Sequence, residues 1–166
     1  MKSIMRHPVL SLLVGIATGI LIFAARAQAP AEFATAVPLH DKGISTYYVR
    51  GSIDGLGDVE FLVDTGAGHT TINEETLTIL KERQLASYSR DLTGILADGS
   101  RMRVPVYHIA SIELGGCQLQ NIEAAVFPGR TRFLLGMNAL KQAAPFAFVT
   151  EPKPQLALSN CRMASK

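Results

Sequence analysis

Asp64 stands out by its setting, in the run Phe61-Leu62-Val63-Asp64-Thr65-Gly66-Ala67-Gly68. Three apolar residues deliver the acid and small residues follow at once. An ionised carboxylate is costly to bury without partners, so an acid at the end of an apolar strand needs donors close by. Gly66, Ala67 and Gly68 let backbone N–H groups crowd the carboxylate, and the Thr65 hydroxyl adds a donor or acceptor beside it. Asp64 therefore reads as a catalytic carboxylate whose partner has to come from elsewhere. Other polar residues have plainer roles. His69 adjoins the motif as a surface or supporting residue, and His40 and His108 have no companion at metal-ligand spacing. Glu74-Glu75 marks a helix N-terminus, and Asp98 suits the geometry of a turn.

The elements around Asp64 are short and β-like. Tyr47–Ile53 and Val59–Val63, joined by the turn Asp54-Gly55-Leu56-Gly57, predict a hairpin whose second strand delivers the acid. Thr70–Ile72 is a further strand, and Asn73 caps a helix from Glu74 to about Leu85 with Leu77, Leu80 and Leu85 facing the core. A second hairpin spans Leu92–Val104 with its tip at Ala97-Asp98-Gly99-Ser100, and Pro105 limits its continuation as a central strand. Val106–Leu114 and Cys117–Val126 follow as strands. Arg132-Phe133-Leu134-Leu135-Gly136 then repeats the theme of an apolar run ending at glycine, before one or two helical turns over Met137–Gln142. Phe146–Val149 and Leu156–Ser159 form a terminal pair. Many short strands with one or two short helices predict a mostly β domain, a small closed barrel or sandwich.

Composition narrows the class of protein. The chain has 166 residues, 48% of them hydrophobic, and a net charge of +2 with both signs interspersed. One cored domain fits; disorder and a nucleic-acid partner do not. Cys117 and Cys161 lack the neighbours a zinc site needs. A disulfide and two free thiols are both open. Lys2, Arg6 and His7 precede an apolar run from Val9 to Ala25, with small-x-small patterns at Ala25-Arg26-Ala27 and Ala27-Gln28-Ala29. Residues 1–29 are thus expected to be a cleaved signal peptide or an uncleaved signal-anchor. Residues 30–43 follow as an Ala/Pro-rich linker, 44–160 as the folded domain and 161–166 as a tail. Either reading of the N-terminus exports the domain, as a periplasmic or secreted protein or as one tethered to the inner membrane.

Together these landmarks resemble the retropepsin-like aspartic proteases, and most closely their small bacterial membrane-anchored branch. The resemblance covers roughly residues 44–160. It rests on the Phe61–Ala67 run with Asp64-Thr65-Gly66, on Leu134-Leu135-Gly136 about 70 residues further on, and on the glycine-tipped hairpin between them. It implies an acid-protease fold in which these two elements cross beneath the active site, supported by Leu134, Leu135 and Gly136. The hairpin becomes a flap, with Ala67, Ala97, Asp98 and Gly99 near substrate. Such chemistry needs two carboxylates sharing a proton, and the chain has no second Asp-Thr-Gly or Asp-Ser-Gly. The resemblance therefore implies a homodimer with one Asp64 from each protomer and Thr65 bracing the partner's loop. It implies further a peptide or protein substrate and no cofactor or metal. The strands near Phe146 and Leu156 are candidates for the rest of the interface.

Two departures matter. Gly68 and Met137 stand where retroviral members carry an Asp and an Arg that form an ion pair supporting the dimer, and Ala67 replaces the Ser of pepsin-type enzymes. The first keeps a catalytically silent peptide-binding domain as the alternative. Asp64-Thr65-Gly66-Ala67-Gly68-His69-Thr70 also resembles the phosphate loop of actin-like ATPases, but that fold needs two large α/β lobes and is excluded by size.

Overall fold

The structure, a computed structural model, describes residues 33–43 and 46–163. The expected signal or anchor segment lies outside the described residues. Among those described, no helix is long and apolar enough to cross a membrane.

The strands are β1 (Thr35–Asp41), β2 (Tyr47–Ile53), β3 (Gly57–Val63), β4 (Thr70–Asn73), β5 (Ala86–Ile95), β6 (Arg101–Leu114), β7 (Cys117–Phe127), β8 (Phe133–Leu135), β9 (Phe146–Val149), β10 (Gln155–Leu158) and β11 (Arg162–Met163). The helices are α1 (Glu74–Glu82) and α2 (Met137–Gln142). Starting at β2, antiparallel pairing leads to β3, and β3 pairs in parallel with β8. β8 meets β4 antiparallel, β4 pairs in parallel with β7, and β7 pairs with β6. The ring closes where β6 returns to β2, with Ser52 opposite Glu113 and Ile53 opposite Ile112. Six strands make a closed barrel. Closure leaves those strands without edges, and the interior is filled by fully buried Ile53, Phe61, Ile72, Ile109, Ile122 and Leu135.

Both parallel pairings matter for the site. They are short, with Phe61, Leu62 and Val63 opposite Phe133, Leu134 and Leu135, and Thr70–Asn73 opposite Ala124–Phe127. The two apolar runs that stood out in the sequence are thus side by side and end together.

Several boundaries differ from the sequence expectations. Residues 35–41, expected to be linker, form β1, which pairs with β10 through Thr35–Pro38 and with β2 through Leu39–Asp41. Its buried Val37 and Leu39 alternate with exposed neighbours, a pattern masked by the Ala/Pro-rich composition. Pro105 does not interrupt β6, because β7 pairs with β6 only from Val106 onward and Pro105 has β5 alone beside it. β5 starts at Ala86, through a polar stretch that carries no hydrophobic alternation. The segment after residue 160 is no free tail: Cys161 forms a disulfide with Cys117 and β11 pairs with β7. Helix α1 ends at Glu82, followed by Gln84 at φ 58°, yet Leu85 still packs on the core as expected. Finally, β10 lies between β1 and β9 and its Leu156 is fully buried, so both edges of β10 are already paired within the chain. Among the described strands, β5, β9 and the two-residue β11 are each paired on one side only.

Candidate active site

Asp64 sits one residue past the end of β3, and its N–H donates to the carbonyl of Leu135 at 3.1 Å. That bond continues the parallel pairing and fixes where the acid leaves the barrel. The loop then turns back on it. Oδ1 of Asp64 accepts from the N–H of Gly66 at 2.9 Å and of Ala67 at 3.2 Å. No hydrogen bond to Oδ2 is made among the described residues. One oxygen is held and the other is available. The side chain is half-buried, while Thr65 and Gly66 are exposed.

The two sequence motifs lock together through backbone. Met137 donates to the Ala67 carbonyl at 2.8 Å and Asn138 to that of Gly68 at 3.2 Å. Gly136 explains why the second motif ends in glycine. A Cβ there would lie 2.3 Å from the carbonyl carbon and oxygen of His69 and 2.7 Å from the N–H nitrogen of Thr70. No side chain fits. Leu135 and Gly136 therefore support the acid from beneath, whereas Leu134 reaches the groove above it.

A polar brace not foreseen from the sequence holds the crossing. Thr70, fully buried, places its N–H at 2.7 Å and its hydroxyl at 3.0 Å from Oδ1 of Asn138. The Thr70 hydroxyl oxygen also accepts from the N–H of Gly136 at 3.3 Å. Nδ2 of Asn138 donates to the Glu123 carbonyl at 2.6 Å, and Leu134 donates to the Thr71 hydroxyl at 3.1 Å. The available signal was the pair of hydroxyls in a strand otherwise reading as core. Buried polar groups need partners, and here the partners are the second motif itself.

The Glu123 side chain is the hub of a second cluster. It forms a bidentate ion pair with Arg90, in which Arg90 Nη2 to Oε2 is 2.9 Å, and accepts from Ser89 at 3.2 Å. Nε2 of His69 lies 3.8 Å from it and 3.2 Å from Nη2 of Arg90, and His108 lies 4.0 Å away. Hydrogen bonding from Arg90 is the main reason the Glu123 carboxyl is held below its ordinary 4.5. Reciprocally, Arg90 is raised. His69 thus joins a cluster linking the Asp64 loop to β5, β6 and β7.

The remaining expected residues divide. A groove of about 630 Å³ opens beside Asp64, lined by Gly66, Ala67, Leu134 and, from the β5–β6 hairpin, Ala97 and its neighbours. Asp98 and Gly99 are not part of that lining. Oδ1 of Asp98 accepts from the N–H and hydroxyl of Ser100 at 2.9 and 2.6 Å, and these bonds hold its carboxyl below the ordinary range. Gly99 takes φ 82°, a left-handed turn position that glycine occupies without strain. Both serve the tip of the hairpin. A larger depression, about 780 Å³, lies on the outer side of β2 and β3. It contains none of the motif residues, and the groove at Asp64 is the one that joins reactive group and apolar wall.

This is the fold and motif placement of a retropepsin-like aspartyl protease. The family model for the gag-polyprotein putative aspartyl protease matches residues 49–142, more than half of the chain, and the chain belongs to that family. Among solved structures, it is similar to a retropepsin-like aspartic protease from Rickettsia conorii, with 21% identity, a TM-score of 0.54, and coverage of 75% of this chain and 89% of that one. At that identity the likeness speaks for the fold alone. No curated protein sequence matches the chain.

Proposed function

We propose that the protein is an aspartic endopeptidase, active as a homodimer in which the two Asp64 carboxylates meet across a two-fold axis. The observation that carries this reading is the Asp64 carboxylate itself: one oxygen held by two backbone amides, the other without a hydrogen bond among the described residues, at the edge of an apolar groove beneath a hairpin. Two like charges in contact cannot both ionise easily, so the pair keeps one proton. The ionised member takes a proton from a bound water, whose oxygen attacks the scissile carbonyl carbon. The protonated member gives its proton to the carbonyl oxygen as charge develops there. The proton taken from water then passes to the leaving nitrogen as the C–N bond breaks. One hydroxyl of the former carbonyl carbon returns its proton to the dyad, which releases the carboxylic acid and restores the shared proton. Exposed Thr65 and Gly66 are the surface that meets the partner loop, and the open edge of β9 is a second contact. Half-buried Met137 packs on the core, so apolar packing takes the place of an ion pair there.

The disulfide supports the export reading, because such bonds persist in oxidising compartments. Placement of the domain outside the cytoplasm, tethered or free, and kinship with the bacterial membrane-anchored branch belong to this proposal.

Asp64→Asn tests the assignment. Cleavage of peptide substrates at mildly acidic pH should fall by about 10³-fold or more, with thermal stability kept or raised, as is common when a strained catalytic group is removed. In the unaltered protein, specific activity should rise with concentration until the dimer is saturated. Undiminished cleavage by Asp64→Asn sinks the reading; a protein that binds peptides and never cuts them is the silent binding domain instead.

A further inference from the structure

The groove beside Asp64 is lined mainly by apolar side chains, and among the described residues its only other ionisable lining groups are His69 and Arg132. His69 is engaged by Arg90, as described above. Arg132 differs. It is the last residue before β8, is exposed, and makes no ion pair or hydrogen bond among the described residues. Three other guanidiniums nearby are matched, Arg130 with Glu75 at 3.2 Å and Arg103 with Asp91 at 2.7 Å, and Arg90 with Glu123, while Arg101, opposite Ile95, does not line the groove. The charge at Arg132 is left open towards the space a peptide would fill.

We infer that Arg132 is a specificity residue, and that the groove selects peptides carrying a carboxylate side chain flanked by apolar ones. The inference rests on the groove proposed above as the peptide site. A peptide lying there covers the guanidinium and strips water from it, which is unfavourable unless a matching anion replaces the water. Glu or Asp supplies that anion in a bidentate geometry suited to Arg. The flanking positions are set by the apolar wall. An adjoining recess of about 370 Å³, lined by Met102, Phe127, Pro128 and Leu134 among others, takes a bulky aliphatic or aromatic side chain. Negative charge at Asp64 repels the substrate's carboxylate from the centre of the groove and favours the Arg132 end. In a two-fold dimer the same selection applies on both sides of the scissile bond.

The test uses matched peptides with an apolar pair at the centre and Glu, Gln or Lys at each flanking position in turn. They are assayed at about pH 6, well above the ordinary Glu value of about 4.3. At one or more positions Glu should exceed Gln by about tenfold in kcat/KM, with Lys lowest. Arg132→Gln should remove the difference between Glu and Gln, and Arg132→Glu should invert the order of Glu and Lys. Binding of the same peptides to Asp64→Asn protein, read by fluorescence anisotropy, supplies a second readout. Peptides that bind in the order Glu, Gln, Lys but are never cut by the unaltered protein keep this inference and overturn the endopeptidase reading. Cleavage with equal kcat/KM for all three does the reverse. Absent or equal binding without cleavage overturns the inference, as does a preference unchanged in Arg132→Glu.

Discussion

Gly136 shows what a single missing side chain does for this site. Any Cβ at that position runs into the backbone of His69 and Thr70, and backbone cannot swing aside as a flexible side chain can. Gly136→Ala is therefore expected to cost at least the 1–3 kcal/mol typical of overpacking, roughly, and to pull the Asp64 loop away from Leu135. Loss of chemical-denaturation stability together with loss of cleavage checks it; an unaltered midpoint counts against the packing argument. Glu123 offers a pH-dependent counterpart. Its carboxyl is held below 4.5 chiefly by hydrogen bonding from Arg90, so the charged form is bound more tightly in the folded protein. The stability this supplies is present above the unfolded value of 4.5 and is lost as pH falls through the folded value. Glu123→Gln should melt below the unaltered protein at neutral pH. The gap between the two should narrow as pH drops below 4.5 and close at lower pH.

At the scale of elements, the β5–β6 hairpin stands over the groove with its apolar residue Ile95 72% exposed. Such a residue adds nothing to the folded core, yet it lines the groove and has apolar area to bury when a peptide arrives. Ile95→Ser should leave the melting temperature unchanged and raise KM by about tenfold, since burying an Ile side chain is worth roughly 1.5–3 kcal/mol. A lowered melting temperature with KM unchanged would place Ile95 in the fold rather than over the groove. The hairpin was legible beforehand because Asp-Gly at its tip and apolar flanks are local signals. So were β2, through its loose alternation, and α1, through its Asn73 cap. What escaped was non-local. β1 looked like linker because only its pairing with β10 and β2 makes a strand of an Ala/Pro-rich stretch. β5 before Leu92 is polar and is defined by the neighbour it pairs with. The Thr70–Asn138 brace joins residues far apart in sequence, and Asn138 by itself reads as an ordinary helix residue. Arg132, too, was only the start of an apolar run until the fold set it on the groove wall.

The described residues form a ring of six strands to which β5, the β1–β10–β9 ladder and the short β11 are attached. The disulfide ties the start of β7, inside the ring, to Cys161 at the far end of the chain, 44 residues on. Cross-links of this span typically contribute about 2–4 kcal/mol by restricting the unfolded chain. Reduction should therefore lower the melting temperature by several degrees, and Cys161→Ser should reproduce the loss without reductant; coincident melting curves for the two forms would show the bond to be dispensable. The same bond also has a meaning in time. While the chain remains among reducing thiols the Cys117–Cys161 bond stays open, and full stability arrives only with oxidation. On the export proposed above, that ordering would delay maturation: the protein would be least robust in the compartment where it is made and would reach its final form only after leaving it.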